Sequence, residues 1–149
     1  MEIIFTRQDG VVSRLIRKLT GETVSHVAFI YMGNVYHSNH KGATICSLTK
    51  FKEDSEIVYR LKLPRKYELC FHYQFARLEG SNYDLPAALY AGWRIFLNRY
   101  FKVGYPPVNK FNFKEAYMCT ELAQKVLKID VDSFITPHAL YLKVKDMID

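Results

Sequence analysis

The sequence lacks the cysteine pattern of a domain that is stabilised by disulfides or by bound zinc. Its three cysteines, at positions 46, 70 and 119, are odd in number, and no two have the spacing of a CxxC pair. This pattern excludes a disulfide framework or a zinc ribbon as the source of stability. With 149 residues, 49% of them hydrophobic, the chain can bury a core without such support. We therefore predict a single domain over residues 1–149, in a reducing compartment.

Long apolar runs and a secretory leader are also missing. The first residues combine a short apolar stretch with Glu2 and Arg7, which is not the basic-then-apolar order of a signal peptide. The most apolar neighbourhood, residues 85–97, contains Arg94. It is shorter than the roughly 20 residues that a membrane span needs. The sequence thus predicts a cytoplasmic protein without a transmembrane segment.

Runs of basic residues are absent too, although the formal net charge is +6. Such a charge favours an anionic partner, but the lysines and arginines are scattered, so we expect no specific nucleic-acid partner. Aromatic and basic residues are mixed between positions 89 and 113. This mixture suits core packing, one wall of a substrate cleft, or peripheral contact with an anionic membrane surface. The sequence does not determine the oligomeric state.

Strand patterns and helix patterns occupy separate parts of the chain. The apolar start at 1–5 predicts a strand, and the apolar spacing over 11–19 predicts a helix that Thr20-Gly21 ends. Further strands are predicted over 24–32, 35–39, 43–48 and 56–63, and helices over 64–78, 86–100, 114–127 and 137–148. Residues 103–113 are predicted to be a loop because they contain Pro106-Pro107. This order predicts an α+β domain in which an antiparallel sheet, either a meander or a small barrel, packs against helices.

Cys119 is the best candidate nucleophile among the three thiols. It stands at the front of an apolar helical stretch, in Met118-Cys119-Thr120-Glu121-Leu122. Unpaired amide hydrogens and the positive end of the helix dipole favour a thiolate at that position. The polar Thr120 and Glu121 indicate a helix end that borders solvent or a cleft. The alternative is a thiol packed in the core, which we expect for Cys46 in a strand and Cys70 within a helix.

Two histidines, His26 and His37, flank one predicted hairpin. Side chains alternate along a strand, and a two-residue turn pairs positions of opposite parity, so both rings should project from the same face. If Gly33-Asn34 forms the turn, His37 lies opposite Ile30 and is merely a polar residue on the sheet. If Met32-Gly33 forms it, His37 lies opposite Ala28 and is a diagonal neighbour of His26. In that register His26 can be the general base for Cys119, and His37 can orient its ring.

The sequence predicts no metal site and no cofactor. His37, His40 and Cys46 are the only group that invites the idea, and their spacing matches no established zinc pattern.

These motifs together resemble the permuted papain-like cysteine hydrolases and acyltransferases, relatives of the NlpC cell-wall peptidases. In that group the histidine hairpin precedes the cysteine helix, as Ser25-His26-Val27-Ala28-Phe29-Ile30 precedes Met118-Cys119-Thr120-Glu121-Leu122 here. Gly80-Ser81-Asn82-Tyr83-Asp84 is similar to the Gly-x-x-Tyr-Asp segment between them. The YiiX-like branch often has a glutamate where His37 stands. The lecithin retinol acyltransferase-like branch has a second histidine, at a spacing one residue longer than here.

The resemblance implies a circularly permuted, NlpC-type papain-like fold and acyl transfer with Cys119 as nucleophile, His26 as base and His37 as third member. The oxyanion would be held by the Cys119 amide, with Tyr83 either as a second donor or packed beneath the helix. The leading hypothesis is a cysteine amidase or peptidase that cleaves a peptide-like, cell-wall type amide. One alternative is a membrane-associated lipid acyltransferase or lipid amide/ester hydrolase. The other is an inactive papain-like binding module.

Overall fold

The computed structural model of the chain describes residues 1–39, 42–78, 85–106, 118–132 and 134–148. Within these ranges there are five strands, six α-helices and a 3₁₀ turn at Arg65–Tyr67, which confirms the α+β class. The strands are β1 (Glu2–Gln8), β2 (His26–Tyr31), β3 (Asn34–Asn39), β4 (Gly42–Ser47) and β5 (Ser55–Lys62). The helices are α1 (Val11–Thr20), α2 (Leu48–Asp54), α3 (Glu68–Leu78), α4 (Leu85–Phe101), α5 (Cys119–Leu127) and α6 (Pro137–Ile148). The longest, α4, has 17 residues, and no helix in the described ranges is long and apolar enough to cross a membrane.

The five strands form one open antiparallel sheet in the order β4-β3-β2-β1-β5. The predicted meander is confirmed for β2, β3 and β4, which follow each other in sequence and in space. The first strand departs from it, because β1 lies between β2 and β5. The alternative of a small barrel is wrong, since β4 and β5 form two separate edges of the sheet.

Each face of the sheet packs against a different set of side chains. Because side chains alternate along a strand, Phe5, Val27 and Phe29 lie on one face, where they join the core made with α3, α5 and α6. Ile4, Ala28, Ile30 and Val35 lie on the other face and pack against Phe51 of α2. Burial of both faces explains the continuous apolar run Ile3-Ile4-Phe5, in which all three residues are fully buried.

The helices differ from the sequence prediction in three places. Helix α3 begins at Glu68 rather than at position 64, because Arg65–Tyr67 form a 3₁₀ turn. Residues 48–54 form α2, where we predicted the end of one strand at position 48 and no helix before the next; the Ser47 hydroxyl caps this helix by accepting from the Lys50 amide at 3.3 Å. Helix α5 begins at Cys119 rather than at position 114, because Met118 has extended backbone angles and acts as the N-cap. Residues 114–117 lie outside the described ranges.

The predicted start of the last helix is confirmed. The Thr136 hydroxyl accepts a hydrogen bond from the Ala139 amide at 3.0 Å, and Pro137 is the first helical residue. The same hydroxyl donates to Glu22 at 2.7 Å. This bond ties the start of α6 to the segment between α1 and β2, close to the start of the strand that carries His26.

Helices α1 and α4 pack closely against each other. A Cβ atom on Gly92 of α4 would lie only 3.2 Å from a methyl group of Leu19, so glycine permits the close approach. At the end of α1, Gly21 has a φ of 68° and forms the left-handed C-cap. Arg99 of α4 donates to the carbonyl of Thr20. The arginine thereby satisfies a terminal carbonyl of α1 and fixes the two helices together.

Candidate active site

Cys119 occupies the first position of α5, where the helix start is fixed by its own side chains. The Met118 amide donates to the Glu121 carboxylate at 3.2 Å, which is half of a capping box. The backbone amides of Val27, Thr120 and Cys119 itself act on the Cys119 sulfur, and each lowers the pKa of the thiol. Because Val27 follows His26 in β2, its amide brings the thiol to the start of the strand that carries the candidate base.

Burial decides the protonation state of this thiol. Cys119 is 6% exposed, and the loss of hydration raises its pKa to about 11 although three amides lower it; the nearby Glu121 carboxylate raises it further. We predicted a thiolate favoured by the helix start, and in this conformation that prediction is wrong because desolvation outweighs the amides. Thr120 and Glu121 are also buried rather than at the solvent border. Cys119 and Thr120 do line a cavity, however.

Strands β2 and β3 pair in the register that brings the two histidines together. His37 lies opposite Ala28, and Met32 and Gly33 form the turn, with φ angles of 48° and 78°. Two positive φ angles are the mark of a type I′ hairpin turn. The His26 Nε2 and His37 Nδ1 atoms are 3.1 Å apart and share a hydrogen bond. Of the two registers that the sequence left open, the structure has the one in which the rings touch.

Phe51 and Cys46 enclose the histidine pair. The Phe51 ring centroid lies 6.4 Å from that of His26 and 5.1 Å from that of His37. The Cys46 sulfur lies 3.9 Å from His37 Nε2, a contact that we did not predict. The signal for it is the β3–β4 register, which pairs His37 with Thr44 and so makes Cys46 its diagonal neighbour.

The His26 ring is uncharged near neutral pH. It is 6% exposed, and burial together with the adjacent His37 lowers the pKa of His26 to about 3. No hydrogen bond joins this ring to the Cys119 thiol, although both residues lie in the described ranges. The thiol packs beside Val27 and Phe29, whereas His26 is on the face of the sheet that carries Phe51. The resting site therefore holds a neutral thiol and a neutral imidazole, without an ion pair.

Two adjoining cavities reach the two groups. The first has a volume of about 40 Å³ and is lined by Cys119 together with α1 and α4. The second has a volume of about 240 Å³ and is lined by His26, Ser38 and the first turns of α1. Ile16 and Ser25 line both cavities and form their shared wall. The first cavity has room for only a few waters in this conformation.

The lining of the Cys119 cavity is apolar apart from hydroxyl groups. No charged side chain lines it in the described part of the chain, and α4 contributes small and aliphatic residues. Within the described part of segment 89–113, Ala91, Gly92 and Ile95 supply a wall of this cavity, while Trp93 remains 49% exposed. The lining side chains of this cavity, besides Cys119, are Ile16, Thr20, Ser25, Ala88, Ala91, Gly92, Ile95, Met118, Thr120, Ile135, Thr136 and Pro137.

Two of the predicted features cannot be placed. Tyr83, the candidate oxyanion donor, and the segment Gly80-Ser81-Asn82-Tyr83-Asp84 lie outside the described residues, as does His40. Within the described ranges, no group of three or more His, Cys, Asp or Glu side chains could hold a metal ion. Neither the models of known protein families nor the curated proteins include a match to this chain. The resemblance to the permuted papain-like group thus rests on the short motifs and their order.

Alkylation of Cys119 by iodoacetamide is expected to be slow near neutral pH and to accelerate about tenfold per pH unit up to about pH 10. The reason is that the thiolate is the reacting form and burial raises the pKa of Cys119 to about 11. Timed labelling followed by mass spectrometry of the three cysteine peptides measures each rate. Protein unfolded in urea is the control, since its thiols have ordinary pKa values. A Cys119 rate that is already maximal near pH 7 would contradict the prediction.

Proposed function

We propose that the protein is a cysteine-dependent hydrolase that cleaves a peptide-like amide through a thioester on Cys119. The observation that carries the proposal is the convergence at the start of β2. There Val27 packs with Cys119 and its amide lowers the pKa of the thiol, and the preceding residue, His26, is hydrogen-bonded to His37 at 3.1 Å. A nucleophile at a helix start, an imidazole on the strand residue next to its amide contact and a second ring that orients the first are the parts of nucleophilic acyl transfer.

The histidine pair specifies which nitrogen is available to the thiol. When His26 Nε2 carries the proton and donates to His37 Nδ1, the Nδ1 atom of His26 is free to accept. In acylation the Cys119 sulfur attacks the carbonyl carbon, and the thiol proton passes to His26 Nδ1 and then to the leaving amine. In deacylation water attacks the thioester carbonyl and gives a proton to the same nitrogen, which returns it to the departing sulfur.

The neutral resting pair requires the proton to move as the sulfur attacks, not before. With a pKa of about 11 for Cys119 and about 3 for His26, the proton stays on sulfur until the substrate is bound. Substrate must also bring the ring and the thiol into hydrogen-bond contact, because they have none in the resting structure. In this proposal the amides of Cys119 and Thr120, which lower the pKa of the thiol, stabilise the oxyanion.

The apolar lining of the Cys119 cavity favours a second candidate, a lipid amide/ester hydrolase or acyltransferase. A peptide needs charged or amide partners along its backbone, whereas an acyl chain needs aliphatic walls such as Ile16, Ile95 and Ile135. The same thioester chemistry serves both candidates. They differ in the acyl group that enters and in whether water or another nucleophile resolves the thioester.

The missing thiol–imidazole hydrogen bond favours a third candidate, a binding module that has lost activity. Against it stands the retention of two buried imidazoles, His26 and His37, each 6% exposed. Buried polar rings are costly unless they are hydrogen-bonded, and an inactive scaffold has no chemical need of them. A cavity that reaches Cys119 also opposes this candidate.

One experiment separates the three candidates. The protein is incubated with peptide p-nitroanilides, muropeptides, N-acyl amides and long-chain p-nitrophenyl esters, and each reaction is quenched in acid. The protein is then digested, and the mass of the peptide that contains Cys119 is measured by mass spectrometry. We expect an added acyl mass on Cys119 together with released product. Transfer from peptide-like substrates supports the hydrolase, and transfer from long-chain substrates alone supports the lipid enzyme. If no class of substrate yields an adduct or a product, the enzymatic proposal is wrong.

A further inference from the structure

The formal net charge of the protein equals the charge of two adjoining stretches, α1 and residues 85–106. Each stretch holds three basic residues and no Asp or Glu, and together they account for the net charge of +6. The remaining residues of the chain therefore balance to zero. The basic residues are Arg14, Arg17, Lys18, Arg94, Arg99 and Lys102.

None of these six charges is neutralised by an ion pair in the described part of the chain. The ion pairs found there involve Arg7, Arg60 and the amino terminus instead. Arg94 and Arg99 donate to the carbonyls of Gly104 and Thr20, which leaves their charge uncompensated. Arg17 lines a groove together with Asp9 and Glu53, whereas the other five basic residues of the two stretches do not line that groove, and their charge attracts an anionic partner.

The same two stretches expose most of the large apolar side chains on the described surface. They hold eight of the fifteen such residues: Val11, Val12, Leu15, Trp93, Tyr100, Phe101, Val103 and Tyr105. On α4, the Trp93 and Phe96 centroids are 5.4 Å apart and the Phe96 and Tyr100 centroids 4.8 Å apart, so the rings form one ladder along the helix. Exposed apolar side chains grouped in this way mark an interaction site.

We propose that α1 and residues 85–106 form a docking surface for an anionic lipid bilayer. Their lysines and arginines attract acidic head groups, and Trp93, Tyr100 and Phe101 suit the boundary between head groups and acyl chains. A nucleic acid could also use basic and aromatic residues. It would leave Val11 and Leu15, which are 82% and 40% exposed, without an apolar partner, and this favours the bilayer.

The surface surrounds the side of the fold from which Cys119 is reached. Ile16 and Thr20 of α1 and Ala91, Gly92 and Ile95 of α4 line the Cys119 cavity from within. Docking would therefore bring that cavity next to the bilayer. The inference stands without the proposed chemistry, because binding to lipid is measured without turnover.

Vesicle co-sedimentation tests the proposal. We expect the protein to sediment with vesicles that contain about one third phosphatidylserine at low ionic strength, and to be released by about 0.5 M NaCl, which screens charges over a few ångströms. It should bind vesicles of phosphatidylcholine alone much more weakly. If it does not sediment with the anionic vesicles, or if it binds duplex or single-stranded nucleic acid while ignoring them, the proposal is wrong.

Matched variants locate the surface. Lys18→Gln with Lys102→Gln should weaken binding to anionic vesicles roughly thirty-fold, since each basic residue near an anionic surface contributes about 1 kcal/mol, which is about fivefold. Lys143→Gln with Lys145→Gln removes two exposed lysines from α6 and should change binding less than threefold. The apolar part of the surface is tested with the double variant Tyr100→Ser and Phe101→Ser. Its control is the double variant Leu69→Ser and Tyr73→Ser on α3, where the two side chains are 84% and 63% exposed. Equal losses in either comparison would overturn the assignment.

Discussion

Replacing Cys119 with alanine is expected to abolish the acyl adduct and to lower kcat by at least about 10⁴-fold on the substrate identified by acyl trapping. Loss of a nucleophile removes the covalent route entirely, and the residual rate is what binding and oxyanion stabilisation supply alone. The measurement is steady-state turnover, with intact mass to confirm that the variant carries no acyl group. Amides of both α5 and β2 act on the sulfur of Cys119 and lower its pKa, as a nucleophile needs.

Cys70→Ala is the matched control for this loss. Cys70 is another buried helical thiol, 8% exposed, and its sulfur contacts the Lys125 carbonyl at 3.7 Å. Removing it should cost stability of the same order as Cys119→Ala, about 1 kcal/mol, and leave turnover within a few-fold of the wild type. Urea unfolding of both variants checks the stability. Turnover that survives in Cys119→Ala, or falls equally in both, would remove Cys119 from the mechanism.

The shared face of His26 and His37 could be predicted from the sequence, but their contact could not. Alternation along strands is a local rule, so parity sufficed to place both rings on one face. The register of the β2–β3 hairpin depends on which two residues form the turn, and both candidate turns contained Gly33. The observed turn forces Met32 to a φ of 48°, which is unfavourable for a side chain with a Cβ. Pairing of β2 with β1 and of β3 with β4 over-determines the register and outweighs that local cost.

The pKa of the Cys119 thiol could be predicted only in part from its position near a helix start. The sequence placed Cys119 in the front part of a helix predicted over 114–127, and the dipole argument gave the sign of one contribution to its pKa. It could not show that β2 would cover the sulfur, because that contact joins residues about ninety positions apart, Val27 and Cys119. The placement of β1 between β2 and β5 is also a long-range pairing. Its local signal, three consecutive apolar residues that suit a strand buried on both faces, was present in Ile3-Ile4-Phe5.

Acid is expected to destabilise the wild-type protein through His26, and His26→Gln should remove much of that loss. The pKa of His26 is about 3 in the folded protein, against an ordinary value of 6.5. Between these values the unfolded chain binds a proton that the folded chain does not, so stability is full above about pH 6.5 and falls as the pH approaches 3. The shift corresponds to roughly 3 to 5 kcal/mol of unfolding free energy, a large share of the stability of a small domain.

Urea unfolding at about pH 7.5, 5.5 and 4 measures this loss. The informative quantity is the slope of the unfolding free energy against pH, compared between wild type and His26→Gln. Carboxylates also titrate in acid, but they contribute equally to the slopes of both proteins. His72→Gln is the matched control, since His72 is an exposed histidine on α3 and its removal should leave the pH dependence of the wild type unchanged. Because a protonated His26 would have to remain buried beside His37 and Phe51, the folded state resists the proton until the site opens. Parallel pH dependence in wild type and His26→Gln would show that His26 is not held neutral by the fold, and the neutral thiol–imidazole resting state would have to be abandoned.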